Sequence, residues 1–185
     1  MAPLIRLRSI VVCALLACAQ AVPVHPAAPV GEEEVKAVFL FNFAHFIEWP
    51  PGVFAAASQP FVIAVAGGDS LLPALEAAVR GESVDGHPMR VQRVGTSREA
   101  DAGHILFIGR SQAAQLPSIL AGSGRSGTLT VSDLPDAARQ GVMIEMVNDR
   151  NRIRLRINLE AARAAGLTIS SNLLRPAEIV TAEAR

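Results

Sequence analysis

Phe61-Val62-Ile63-Ala64-Val65-Ala66, broken by Gly67-Gly68-Asp69-Ser70 and followed by the helical run Leu71 to Val79, is the stretch that decides the fold. Its first six residues are apolar without interruption rather than at every second position, the pattern of a strand covered on both faces. The pattern recurs downstream, where Met89 to Val94, Ile105 to Ile108 and Leu129 to Val131 have strand character and Gln112 to Leu120 helical character. Such alternation predicts an α/β fold, a mostly parallel sheet flanked by helices on both faces. Nearer the C-terminus, the apolar runs Val142 to Val147 and Ile153 to Ile157 bracket a turn at Asn148 to Asn151, which predicts an antiparallel hairpin. In its second strand Ile153, Leu155 and Ile157 alternate with Arg152, Arg154 and Arg156, so one face is core and the other basic. That basic row is either a solvated strand face or a contact for an acidic partner or anionic lipid. A helix from Leu159 to Ala165 follows, with Gly166 placed to end it in a left-handed cap.

At the other end, Arg6 and Arg8 precede an apolar stretch from Ile10 to Ala17 and the small residues Ala19-Gln20-Ala21, the three-part layout of a secretory signal peptide. Cleavage after Ala21 is expected, and the apolar run falls short of the about 20 residues that a permanent membrane span requires. The destination is then the periplasm, with no integral membrane span in the mature form. A rival cleavage at Leu15-Leu16-Ala17-Cys18 would yield a lipoprotein acylated on Cys18. Residues 22–31, rich in Pro, Ala and Val, have the character of a spacer, and residues 32–181 that of one domain. Both cysteines, Cys13 and Cys18, lie in the signal region, so the cleaved chain has no thiol and its stability must come from packing. Removing Arg6 and Arg8 leaves 15 basic against 17 acidic residues, a balance that gives no polyanion-binding field and no expectation of nucleic-acid binding.

Glu32-Glu33-Glu34 open a helix with carboxylates at its positive end, and the helix is expected to run to about Glu48, before Pro50-Pro51. Five of the seven phenylalanines (Phe39, Phe41, Phe43, Phe46, Phe54) and the only tryptophan, Trp49, fall within residues 39–54. Val35, Phe39, Phe43 and Phe46 make one stripe, while Ala37, Leu40, Phe41 and Ala44 cover much of the rest. One stripe cannot absorb them all, so the helix is either central in the domain or presents a second face to another subunit or a partner. On that second face Phe41, His45 and Trp49 are the candidate partner-binding residues.

Three strand ends carry small polar residues: Gly67-Gly68-Asp69-Ser70, Gly109-Arg110-Ser111 and Ser132-Asp133. In a parallel sheet they share one edge, where ligands of open α/β folds bind, so Asp69, Ser111, Ser132 and Asp133 are candidates for a small-molecule crevice. The same residues also serve as ordinary helix N-caps. No nucleotide-binding glycine pattern is present, and the sequence Gly122 to Gly127 lacks the strand-turn-helix context of a nucleophilic serine. His45 has no useful spacing to His87 or His104, so no metal site, no cofactor and no catalytic residue is expected.

Val35-Lys36-Ala37-Val38-Phe39-Leu40-Phe41-Asn42-Phe43-Ala44-His45-Phe46-Ile47-Glu48-Trp49-Pro50 closely resembles the opening motif of the YfiR-like periplasmic proteins. Leu129 to Asp133, Gly141 to Ile144, Ile157-Asn158 with Ala161-Ala162, and Gly166 to Leu174 follow in that family's order and spacing. The resemblance covers roughly residues 32–180. It implies an α/β sandwich, a tendency to form homodimers, and a non-enzymatic regulator. Such a regulator represses an inner-membrane diguanylate cyclase by binding its periplasmic sensor domain, lowering cyclic di-GMP and hence biofilm formation. The redox-active cysteines of the best-known members have no counterpart in the mature chain.

Overall fold

A computed structural model describes residues 31–54, 56, 58–95, 103–122, 127–150 and 152–182. The expected signal segment, both cysteines and nearly all of the spacer therefore lie outside the described residues. The chain runs α1 (Glu32–Phe46), β1 (Ile47–Glu48), β2 (Phe61–Ala66), α2 (Leu72–Val79), β3 (Ser83–Val84), β4 (His87–Val94) and β5 (Ile105–Ile108). A 3-10 turn (Arg110–Gln115) leads into α3 (Leu116–Gly122), then β6 (Leu129–Ser132), β7 (Ile144–Asp149), β8 (Arg152–Asn158), α4 (Leu159–Ala164), β9 (Thr168–Ile169), α5 (Ser171–Leu174) and β10 (Glu178–Val180).

Eight strands form one sheet in the order β10-β8-β7-β6-β5-β2-β4-β3. The central pairs β4/β2, β2/β5, β5/β6 and β6/β7 are parallel, as the uninterrupted apolar runs predict, and β7/β8 is the antiparallel hairpin. Every residue of β2 and β5 is buried, and their side chains divide between two cores. Phe61, Ile63, Val65, Ile105 and Phe107 pack with α1, α2 and α4, while Ala64, Ala66, Leu106 and Ile108 pack with Leu116 and Ile119 of α3. Helices thus cover both faces.

The strand order fixes where the sheet can hold a ligand. From β2 the chain crosses to β4 on one side, returns to β5 on the other side of β2, and continues outward to β6. The connections after β2 and β5 therefore depart in opposite directions, and such a reversal opens a crevice at the carboxyl ends of the two strands.

Local chemistry explains the boundaries. The hairpin turn is tighter than expected, since Asp149 still pairs with Arg152 and only two residues connect the strands. Arg150 takes a left-handed φ of 53° there, as such a turn requires. Gly166 does end α4, at φ 77°, with its own N–H on the Arg163 carbonyl and the Leu167 N–H on that of Ala162, a complete Schellman closure. α1 stops two residues early because Ile47 pairs with Ile169 of β9 in a short antiparallel ladder, burying both side chains. The basic row on β8 is largely compensated: Arg154 meets Asp149 at 2.9 Å, and Arg156 reaches Glu178, Glu145 and Asp136 at 3.1, 3.3 and 3.5 Å.

Candidate functional site

α1 is a flanking helix, not a central one. Lys36, Ala37, Leu40, Phe43 and Ala44 form its buried face. Its outward side carries Val38 at 53% exposure and Phe46 at 37%, two of the three large apolar side chains most exposed among the described residues. Phe41 lies half-buried on the same side with its ring edge-on to the exposed His45, at 5.1 Å between centroids. Val38, Phe41 and His45 recur at the three- and four-residue intervals that align side chains along one face.

Trp49 is arranged differently from the other two partner-binding candidates. Beyond β1 it turns inward, its half-buried ring meeting Phe61 edge-on at 5.2 Å and His104 at 6.3 Å. These rings abut a stacked column in which His87 covers Phe54 at 3.7 Å, Phe54 covers His104 at 4.7 Å, and His104 covers Phe61 at 4.8 Å. His104 is 3% exposed, and its Nδ1 accepts the Val62 N–H at 3.0 Å, so that nitrogen carries no proton. Burial, together with the neighbouring His87, holds the His104 pKa below the ordinary histidine value. Trp49, Phe54 and His87 also wall a cleft of about 650 Å³ whose rim reaches His45 at the end of the outward stripe.

The strand-end candidates meet in a second cleft of about 480 Å³, at the crevice that the topology opens. Asp69 follows β2, Ser111 follows β5 and Asp133 follows β6, and all three line it. Ser132 does not. Its fully buried hydroxyl donates to the Ile108 carbonyl at 2.7 Å and accepts the Leu134 N–H at 3.0 Å, which ties β5 to β6. Helix capping accounts for none of the four. Asp69 pairs with Arg93 while α2 begins after Leu71 without a side-chain cap, and the Ser111 hydroxyl donates to the Gly67 carbonyl. The loops after β2 and β5 touch so closely that a Cβ on Gly109 would collide with the Gly67 carbonyl oxygen.

Sequence reasoning missed the group at the centre of this cleft. Lys36, only 3% exposed, places Nζ 2.8 Å from Asp133 Oδ2, 2.8 Å from Glu32 and 3.5 Å from Glu33. Burial alone would lower its pKa, but the hydrogen bonds to Asp133 and Glu32 outweigh that and hold it above the ordinary lysine value. The same contact with Lys36 lowers the pKa of Glu32. Arg110, 59% exposed, also lines the cleft, with Nε 3.2 Å from the Asp133 carbonyl oxygen and 3.5 Å from Oδ2. Asp133 Oδ1 is buried with no hydrogen-bond partner. The only lysine of the chain, followed at once by an apolar run, was the available signal; its partner lies 97 residues away.

Among the described residues no group of three or more His, Cys, Asp or Glu side chains is arranged to hold a metal ion, and no helix is long and apolar enough to cross a membrane. A conserved domain protein of Vibrio cholerae O1 biovar El Tor is structurally similar, with a TM-score of 0.57 and 12% identity over 81% of this chain. The ABC domain in complex with L-Trp from Streptococcus pneumoniae gives a TM-score of 0.54 and 10% identity over 80% of this chain. The chain spans 60% of the length of each, and at these identities the likeness is one of fold alone. No curated protein matches the sequence significantly. The YfiR/HmsC-like family matches residues 33–178, from the first turn of α1 to the start of β10, and the chain belongs to that family.

Proposed function

We propose that this protein is exported by its N-terminal signal peptide and acts without catalysis, docking through the outward face of α1 on the periplasmic sensor domain of an inner-membrane diguanylate cyclase and repressing it. The observation that carries this reading is the outward side of α1, where the exposed apolar side chains Val38 and Phe46 lie with half-buried Phe41 and exposed His45. Family membership supplies the class of partner. Phe41 and His45 are the contact residues, and Trp49, packed against Phe61 and His104, anchors the segment that follows α1.

The test uses the mature chain and the purified sensor domain of a diguanylate cyclase from the same organism. Val38→Asp and Phe46→Asp place a charge in the contact without touching the core, and each is expected to weaken binding by about tenfold or more. Trp49→Ala weakens binding too, but lowers the melting temperature with it. Unchanged affinity in both aspartate variants would remove α1 as the docking face. If the chain is a dimer in solution and Val38→Asp makes it a monomer, the stripe belongs to a second copy instead.

A further inference from the structure

We infer that the cleft at the carboxyl ends of β2, β5 and β6 binds a small organic cation, an amine, amidine or guanidine carrying N–H donors. This inference does not rest on the docking reading. The cleft lies where the connections of the sheet diverge, and its volume of about 480 Å³ suits a small ligand. Asp133 is 9% exposed and lines the cleft, and its Oδ1 is a buried acceptor with no donor. A buried carboxylate oxygen in that state favours any ligand that brings it a charged N–H.

Charge narrows the class. Glu32, Glu33, Asp69 and Asp133 line the cleft against Lys36 and Arg110, and even with Arg93 paired to Asp69 the acidic groups outnumber the basic ones, which opposes an anion. Lys36 Nζ already occupies the point between Glu32, Glu33 and Asp133 where a metal ion would have to sit. An organic cation avoids both conflicts, because it needs to reach only Oδ1 and the outer carboxylates. Arg110 engages Asp133 through Oδ2 and the backbone carbonyl oxygen, so it competes with the ligand for the same carboxylate, and its exposed side chain is free to turn away.

The probes are putrescine and agmatine, with sodium phosphate and potassium chloride at matched ionic strength as controls, measured by calorimetry and thermal unfolding of the mature chain. A hundredfold excess over Kd of putrescine or agmatine is expected to raise the melting temperature by about 5 to 10 °C. Asp133→Asn is expected to weaken binding about tenfold or more. Glu33→Gln, a substitution at a partly exposed side chain that leaves the buried pair intact, weakens it by a smaller factor, and Arg110→Ala strengthens it. The site is refuted if neither amine binds at millimolar concentration, if phosphate stabilises the chain and the amines do not, or if amine binding is indifferent to both Asp133→Asn and Glu33→Gln. Should Asp133→Asn fail to fold, Glu33→Gln and Arg110→Ala, with their opposite expected effects, still decide the question.

Discussion

Replacing Lys36 by methionine keeps the length of the side chain and removes its charge, and the surroundings set the cost. Lys36 is 3% exposed and Asp133 9%, whereas Glu32 and Glu33 are 35% and 34% exposed. The two glutamates can turn to water, so their contacts contribute little to the balance. Asp133 cannot, and the substitution strands a buried carboxylate whose nearest remaining cation is Arg110 Nε at 3.5 Å. Breaking a buried ion pair costs about 3 to 5 kcal/mol, and the residual arginine contact argues for the lower end, about 3 kcal/mol. In a chain of this size that lowers the melting temperature by about 6 to 12 °C. The double variant Lys36→Met with Asp133→Leu replaces both charges by apolar groups and is expected within about 1 kcal/mol of the parent. Urea unfolding followed by Trp49 fluorescence measures all three proteins. The raised Lys36 pKa gives the sign of a further signature: its contribution is fully present below the ordinary value of 10.5 and is lost as pH rises through the higher folded value. The reasoning fails if Lys36→Met is as stable as the parent, or if the double variant is less stable than the single one.

Two other parts of the structure give measurable outcomes. His104 has a folded pKa below its ordinary 6.5, so its neutral form contributes stability that is present above pH 6.5 and lost as pH falls through the folded value. The slope attributable to it is at most about 1.4 kcal/mol per pH unit, and His104→Asn, which retains an acceptor for the Val62 N–H, should flatten the profile; an unchanged acid slope in that variant would assign the acid sensitivity elsewhere. Gly109→Ala drives a Cβ into the Gly67 carbonyl oxygen, a backbone atom that no side-chain motion can move, so a loss of about 3 kcal/mol or more is expected in denaturant unfolding, and a neutral result would show that the loops after β2 and β5 stand further apart.

The strands were legible because burial on both faces writes itself into consecutive apolar residues. Phe61–Ala66 and Ile105–Ile108 coincide residue for residue with the runs read from the sequence. The glycine after α4 was legible for a similar reason, since φ near 77° suits little else. Polar residues at strand ends were not, because a serine or aspartate serves a cap, an inter-loop bond and a pocket wall equally well. Ser132 bonds across strands, Ser111 across loops, and Asp133 holds a lysine from α1, and each choice depends on which loop lies opposite. Lys36 was overlooked for the complementary reason: within α1 it has the ordinary four-residue spacing to Glu32 of a surface ion pair. Only the approach of Asp133 makes it a buried charge.

The aromatic cluster of residues 39–54 shows how far composition can carry a functional reading. The count left two outcomes open, a central helix or an uncovered second face, and the fold divides the rings three ways. Phe43 is fully buried beneath α1, with Phe39 tilted against it at 6.1 Å. Trp49 and Phe54, both half-buried, turn toward His104, which reaches them from the start of β5. Phe41 and Phe46 are left, joined by Val38 and His45. The proposed docking face is therefore narrower than the sequence implied and less aromatic, and Val38, which no aromatic count would single out, is its most exposed large apolar side chain. A charge at Val38 is for that reason a sharper probe of the surface than the loss of Trp49, whose ring is shared with the core.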